Sequence, residues 1–355
     1  MAEALAREVD SLTLLTSGSI LPSQISSVDL VEWYGVPCSF KIVHLPIYIF
    51  LNKCFFEDWR YLRFDICASL YTRFKSPNIV FTRSLDAGYI CVKLKLKTII
   101  ETHISADSRE LRKIVNISRD PNLLGIVTVN EYLKNTYIKT GIPATKILVW
   151  SDAIDVDKIT IKVPSKQLSR EELGLPPLRK IVTYCGHFYE YKGVSYVIEA
   201  AKYLPDILFC LVGGWPNDIE RCQKQAEGLK NIYFAGFVPN KEVYKYLAAS
   251  DFLLLPNSGR FEQAYTTSPL KLFEYMAAQR PIIASDIPAL QGVIRHKDNA
   301  FLVEPDSATA IADALKILEK NYILSNQIAE NARQYVNNFT WSHRAKDILN
   351  FFLKE

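Results

Sequence analysis

Short apolar runs separated by amphipathic stretches recur from one end of the chain to the other, and their spacing predicts strands alternating with helices. The first series of β-rich runs covers residues 11–15, 40–43, 79–82, 98–100, 125–129 and 147–150. A second covers residues 180–184, 207–212, 232–234, 252–255, 282–284 and 300–303. Brief runs rich in Val, Ile and Phe, with helical patterns between them, indicate parallel sheets covered on both faces. The expected architecture is α/β, with two Rossmann-like, doubly wound domains facing each other across a cleft.

Between the two series, residues 151–179 are polar and carry Pro164, Pro176 and Pro177, so this stretch reads as the linker. The domains are then expected at 1–152 and 153–339. Residues 1–8 read as a helix, whereas a doubly wound domain normally opens on a strand and a phosphate-facing turn. The first strand of the N-terminal domain is therefore expected to be absent, through a misassigned start or a truncated gene. Its neighbours would expose unpaired backbone groups unless something fills the gap.

Composition narrows the function. A chain of 355 residues suits two domains, and a net charge of +4 with no Lys/Arg block argues against nucleic acid. The seven cysteines, at 38, 54, 67, 91, 185, 210 and 222, form no paired framework and fit a reducing cytosol. Apolar runs fall far short of the roughly 20 residues that span a bilayer, and no secretory signal opens the chain. The expected protein is cytoplasmic, either soluble or peripheral at a membrane. No metal cluster and no cofactor are expected.

The most informative stretch runs from Thr266 through Thr267, Ser268, Pro269, Leu270 and Lys271 to Glu274 and Ala277. Thr267 or Ser268 suits an N-cap and Pro269 the first helical position, while Leu270, Phe273 and Ala277 repeat at helical spacing. Free amides and the helix dipole at such a start favour phosphate, and Glu274 one turn inside is an acceptor for sugar hydroxyls. The plainer alternative is a capped amphipathic helix in which Glu274 pairs with Lys271. A second strand-end loop, with Gly186, His187, Lys192 and Gly193, brings positive charge to where a diphosphate needs neutralising.

With these two motifs in order, the chain resembles the retaining GT-B glycosyltransferases of family four, also called glycosyl transferases group 1. Gly186-His187 through Lys192-Gly193 is similar to the family's Gly-Arg-Leu…Lys-Gly phosphate loop, with histidine in the arginine position. Gly213-Gly214, the segment 234–239, residues 268–277 and the segment 285–288 follow in the family's order. The resemblance implies that Lys192 holds the donor diphosphate, that Glu274 takes the ribose hydroxyls, and that residues 266–270 line the nucleotide. Phe237 and Val238 would border the base, or else pack beside a loop. The family's first glutamate falls on Thr266, a departure that bears on recognition of the transferred sugar.

In the first domain, Glu101-Thr102-His103 resembles the family's Glu-x-His at the acceptor side, with His103 near the reacting carbon and Arg83 facing the acceptor. His103, Lys192 and Glu274 are thus the candidate catalytic residues. Trp341 begins a last segment, residues 340–355, expected to pack back on the first domain. Residues 41–118 hold 13 Lys/Arg against 7 Asp/Glu, and residues 47–63 mix aromatic and basic side chains. That stretch is either a peripheral contact with an anionic membrane carrying lipid-linked acceptors or one amphipathic core helix.

The implied activity is retaining transfer of a sugar from a nucleotide sugar to a glycan or lipid-linked hydroxyl, in glycan, polysaccharide or glycolipid synthesis. Two alternatives stay open: a nucleotide-sugar epimerase on the same fold, and a degenerate, non-catalytic nucleotide-binding subunit of a transferase complex.

Overall fold

A computed structural model describes residues 1–18, 39–46, 58–105, 108–156 and 165–353. The chain divides into two compact units, Met1–Ser151 with Trp341–Glu355, and Asp152–Thr340.

The first unit runs α1 (Ala2–Ala6), β1 (Thr13–Gly18), β2 (Lys41–Pro46), α2 (Asp58–Lys75), β3 (Val80–Thr82), α3 (Leu85–Lys93), β4 (Thr98–Glu101), α4 (Arg109–Ile117), β5 (Leu123–Thr128), α5 (Glu131–Lys139) and β6 (Ile147–Val149). It is completed by the C-terminal helix Trp341–Leu353. Its strands form a parallel pair, β1-β2, and a separate parallel sheet, β3-β4-β5-β6. A doubly wound sheet places its first strand between such groups. Among the described residues no strand joins β1 to β3, so the sheet is divided where that strand would lie.

Successive residues of β4 face opposite ways. Ile100 packs with Leu111, Ile114 and Ile126, while Ile99 packs with Val127 and with Ile348 of the C-terminal helix. That helix also carries Arg344, 1 % exposed, whose Nη1 lies 3.1 Å from Oε2 of Glu101, 2 % exposed. Burial alone would push the Glu101 carboxyl up. The hydrogen bond from His103 and the charges of Arg344 and Arg83 prevail and hold it down at about 2.

A group depressed in the folded state contributes stability above its unfolded pKa, 4.5 for an ordinary glutamate, and loses it as pH falls through the folded value. We therefore expect the first unit to lose roughly 3 kcal/mol between about pH 4.5 and pH 2. Urea titrations across that window, repeated on Glu101→Gln, check this: a substitution that leaves the acid dependence unchanged contradicts it.

The second unit contains α6 (Lys166–Glu172), β7 (Ile181–Cys185), α7 (Val194–Ala201), β8 (Leu208–Val212), α8 (Pro216–Gln225), β9 (Ile232–Gly236), α9 (Asn240–Ala249) and β10 (Phe252–Leu255). It continues with α10 (Gln263–Thr266), α11 (Leu270–Ala277), β11 (Ile282–Ser285), β12 (Phe301–Val303), α12 (Ala308–Lys320) and α13 (Tyr322–Tyr335). Its sheet is parallel throughout, ordered β12-β11-β10-β7-β8-β9. Strands β7, β8, β10 and β11 are wholly buried, which is why their sequences are apolar but for Thr183 and Ser285. Strand order reverses between β7 and β10, the place where open α/β sheets bind ligands.

The linker reading of residues 151–179 needs correction. Only residues 157–164 of that stretch, which include Pro164, lie outside the described residues. Ile154 donates its N–H to the Phe339 carbonyl at 2.9 Å, and α6 is part of the second unit. Arg170 in α6 is buried, with Nη2 2.7 Å from Asp251, Nε 2.9 Å from the Ala249 carbonyl and Nη1 2.7 Å from that of Pro177. Asp251 also pairs with Lys166 and accepts the Ile181 N–H at 2.8 Å. A polar pattern reads as solvent-facing, but here the charges are buried because they satisfy one another.

Residues 47–57 of the aromatic and basic stretch lie outside the described residues, as do Cys38 and Cys54. Among the described residues no helix is long and apolar enough to cross a membrane.

Candidate functional site

The end of β7 sets the site. Tyr184 donates its hydroxyl to the His187 carbonyl at 2.7 Å, and the chain turns through Gly186 at φ +136°. A 3₁₀ turn, Glu190–Lys192, then leads to Gly193 at φ +71°. A Cβ on Gly193 would lie 1.8 Å from the Pro256 carbonyl oxygen, so only glycine lets this loop close against the end of β10. Ser258 locks the approach by donating its N–H to the Tyr191 carbonyl at 2.9 Å.

Lys192 emerges from that turn with its ammonium 4.7 Å from the Tyr191 ring centroid and makes no ion pair or hydrogen bond among the described residues. Burial lowers its pKa. His187 is part of a column of stacked rings. Its imidazole lies 5.0 Å from Tyr189 on one side and 5.5 Å from Trp215 on the other. Tyr189 stacks on Tyr191 at 5.7 Å and Trp215 on Phe237 at 6.3 Å. Phe237 is 69 % exposed, whereas Val238 is half-buried against the core.

Helix α11 is pinned to β7 by Tyr275, whose hydroxyl accepts the Cys185 N–H at 2.8 Å. Its start differs from the capping pattern expected of Thr267 or Ser268. Pro269 is the N-cap, in extended conformation, and no side chain caps the helix. Ser268 lies one residue too far out to reach the first-turn amides, and its hydroxyl instead accepts the Asp152 N–H at 2.9 Å. Those amides are consequently left without a side-chain acceptor. Thr266, at the end of α10, donates its hydroxyl to the Glu262 carbonyl at 3.3 Å, and Leu270 is half exposed.

Glu274 does not pair with Lys271: among the described residues no ion pair or hydrogen bond joins them. The Lys271 ammonium turns toward β7 and sits 3.9 Å from the Tyr184 ring centroid, shielded from solvent and without a hydrogen-bond partner among the described residues. Burial, reinforced by the charge of Lys192, pulls its pKa well below the usual range against the opposing pull of Cys185 and Glu274. Burial raises the Glu274 carboxyl, and Lys271 opposes the shift. Asn257, two residues after β10 and 1 % exposed, also has no partner for either carboxamide atom among the described residues.

Gly186, His187, Lys192, Phe237, Glu274 and the start of α11 thus lie beyond the C-terminal ends of the strands of the second sheet. Lys271, Asn257, Tyr275 and the ring column were not read from the sequence. Tyr189 and Tyr191, two apart beside Lys192, were the available signal for the column. In the first unit His103 is held on both sides. Arg83 can only donate, so Nδ1 accepts from Nη2 at 3.3 Å, while Nε2–H donates to the Glu101 carboxylate at 3.1 Å.

Residues 165–335, just under half the chain, match the family model described as Glycosyl transferases group 1. Over 211 residues the chain is 29 % identical to a phosphatidyl-myo-inositol mannosyltransferase of Mycobacterium leprae, an alignment covering 57 % of this chain and 54 % of that one. Over 218 residues it is 25 % identical to the Escherichia coli UDP-Gal:alpha-D-GlcNAc-diphosphoundecaprenol alpha-1,3-galactosyltransferase, covering 59 % and 54 % respectively. The chain thus spans about half the length of these relatives. In fold it is similar to sucrose-phosphate synthase from Thermosynechococcus elongatus, with a TM-score of 0.78, 18 % identity and coverage of 99 % of this chain and 90 % of that one. That likeness shows the GT-B fold with its two Rossmann-like units.

Proposed function

The chain belongs, through residues 165–335, to the glycosyl transferases group 1 family, and on that footing we propose that it moves a sugar from a nucleotide sugar to a hydroxyl acceptor with retention at the anomeric carbon. One observation carries the reading. Lys192, desolvated and without a counter-anion among the described residues, stands on the loop after β7, and Tyr275 pins to the same strand the helix α11, whose start has no side-chain cap, at the switch point of a doubly wound sheet. A diphosphate supplies the missing negative charge, and Glu274 one turn along α11 accepts hydroxyls of the attached ribose. The E. coli relative, whose name specifies a UDP-linked donor and a lipid diphosphate acceptor, supports this choice of substrate classes.

The chemistry follows from electrostatics and position. As the glycosidic bond to phosphate lengthens, negative charge grows on the leaving diphosphate, and ammonium groups with helix amides stabilise it. In a front-face transfer the leaving phosphate oxygen takes the proton of the incoming hydroxyl, so no protein nucleophile is required. Cations from lysine take the part that a divalent ion would otherwise play. His103 and Arg83, held on Glu101, are the residues proposed on the acceptor side.

The test is a panel of nucleotide sugars with glycan and polyprenyl-linked acceptors, in the presence of a chelator. Free nucleoside diphosphate and a glycoside of unchanged anomeric configuration are expected. Glu274→Ala should raise the donor KM about 10- to 100-fold through loss of charged hydrogen bonds. An isomerised donor without glycoside, or strict dependence on a divalent ion, contradicts the reading.

A further inference from the structure

Lys271 stands apart from the other cations of the second unit. Most lysines at an ordered surface keep the ammonium in water and bury only the stem. Here the arrangement is reversed: the side chain is partly exposed, yet its ammonium is shielded and has no hydrogen-bond partner among the described residues. An ammonium removed from water without an anion is costly, and a flexible four-carbon stem could return it to solvent at little cost. Something in the working molecule must favour the inward position.

Three features define what that is. The ammonium lies against Gly186, where an added Cβ would come within 2.8 Å of Nζ, and over the face of Tyr184. The ring face stabilises a cation in part and offers no directed acceptor. The charge of Lys192 disfavours the ionised form of Lys271, so the two lysines share one electrostatic neighbourhood although each ammonium rests on a different ring. Finally, Lys271 is itself in the first turn of α11, whose amides carry no side-chain cap. Two cations and a helix start without a side-chain cap thus lie at the end of β7, and among the described residues Glu274 pairs with neither lysine. His187, between Tyr189 and Trp215, is held by stacking.

We infer that Lys271 is a second diphosphate-binding lysine, whose ammonium waits beside Gly186 in the ligand-free protein and, with Lys192 and the amides of α11, receives the negative charge of a nucleoside diphosphate. The inference rests on the donor-site reading above and adds to it a residue and a division of labour. Lys192 approaches from the β7 loop and Lys271 from the helix, so the anion is gripped from two elements. Glycine at 186 is then required for the space it leaves to Nζ as well as for its backbone angle.

The test uses the full chain and the member of ADP, CDP, GDP, TDP and UDP that most raises the melting temperature, together with its parent nucleoside. Calorimetry on wild type, Lys271→Met, Lys271→Arg and the exposed-site control Lys202→Met then measures both ligands. Lys271→Met should bind the diphosphate about 10- to 100-fold more weakly and the nucleoside unchanged, with Lys271→Arg and Lys202→Met close to wild type.

Without ligand, Lys271→Met should melt at or above the wild-type temperature, because an uncompensated charge has left the interior. Equal diphosphate affinity in wild type and Lys271→Met overturns the inference while leaving the donor site in place. Wild type that binds no diphosphate more tightly than its nucleoside overturns both. A Lys271→Met protein that melts below wild type, or does not fold, shows the ammonium to be a structural element and also overturns the inference.

Discussion

Replacing Lys192 by alanine is expected to lower kcat/KM for sugar transfer about 100- to 1,000-fold while the melting temperature stays at or above that of the wild type. The two halves of this expectation have one origin. The Lys192 ammonium is desolvated and rests on the Tyr191 ring without an anion, so its removal takes no hydrogen bond or ion pair from the folded state among the described residues. Its electrostatic contribution begins with the bound diphosphate and grows most as negative charge develops on the leaving phosphate. The loss should therefore fall mainly on kcat, with a smaller change in donor KM. Steady-state kinetics paired with thermal melts decide this, and an intact kcat at saturating donor would remove Lys192 from the proposed chemistry.

The second large effect is structural. Arg344→Ala should destabilise the first unit by about 3–5 kcal/mol, because it strands the Glu101 carboxylate at 2 % exposure beside a vacated guanidinium site. Arg83 and His103 remain near Glu101 but are more exposed, and neither replaces a partner of 1 % exposure. The double variant Glu101→Met/Arg344→Met should recover much of the loss, since apolar side chains of similar volume need no counter-charge. Denaturant unfolding of the three proteins measures it. Equal losses in single and double variants would mean that helix packing around Ile348, not the buried pair, is what Arg344 supports.

Much of the architecture was legible because parallel strands buried on both faces leave unbroken apolar runs. The runs at 98–100, 207–212 and 282–284 all became strands. What pattern could not show was polar structure that is internally satisfied. Arg170 and Asp251 look like solvated charges in a linear reading and are buried partners. The start of α11 was misjudged for a related reason. Ser-Pro suggests a cap followed by a first helical residue, but Pro269 adopts φ −75°, ψ 112°, displacing the helix by one position and turning Ser268 toward Asp152. Sequence spacing singles out Lys192 and Glu274 as candidates. It does not single out residues whose meaning depends on where a flexible stem points, such as Lys271.

The pairing of Glu101 with Arg344 spans 243 positions of sequence, with all of the second unit in between. During synthesis the earlier residue emerges long before its partner exists. The first unit must then wait, with Glu101 lacking its buried guanidinium partner and an uncovered apolar face around Ile99 and Val127, while the intervening unit is made and can fold by itself. The C-terminal helix thus acts as a late fastener: the portion of the molecule translated first is the portion finished last.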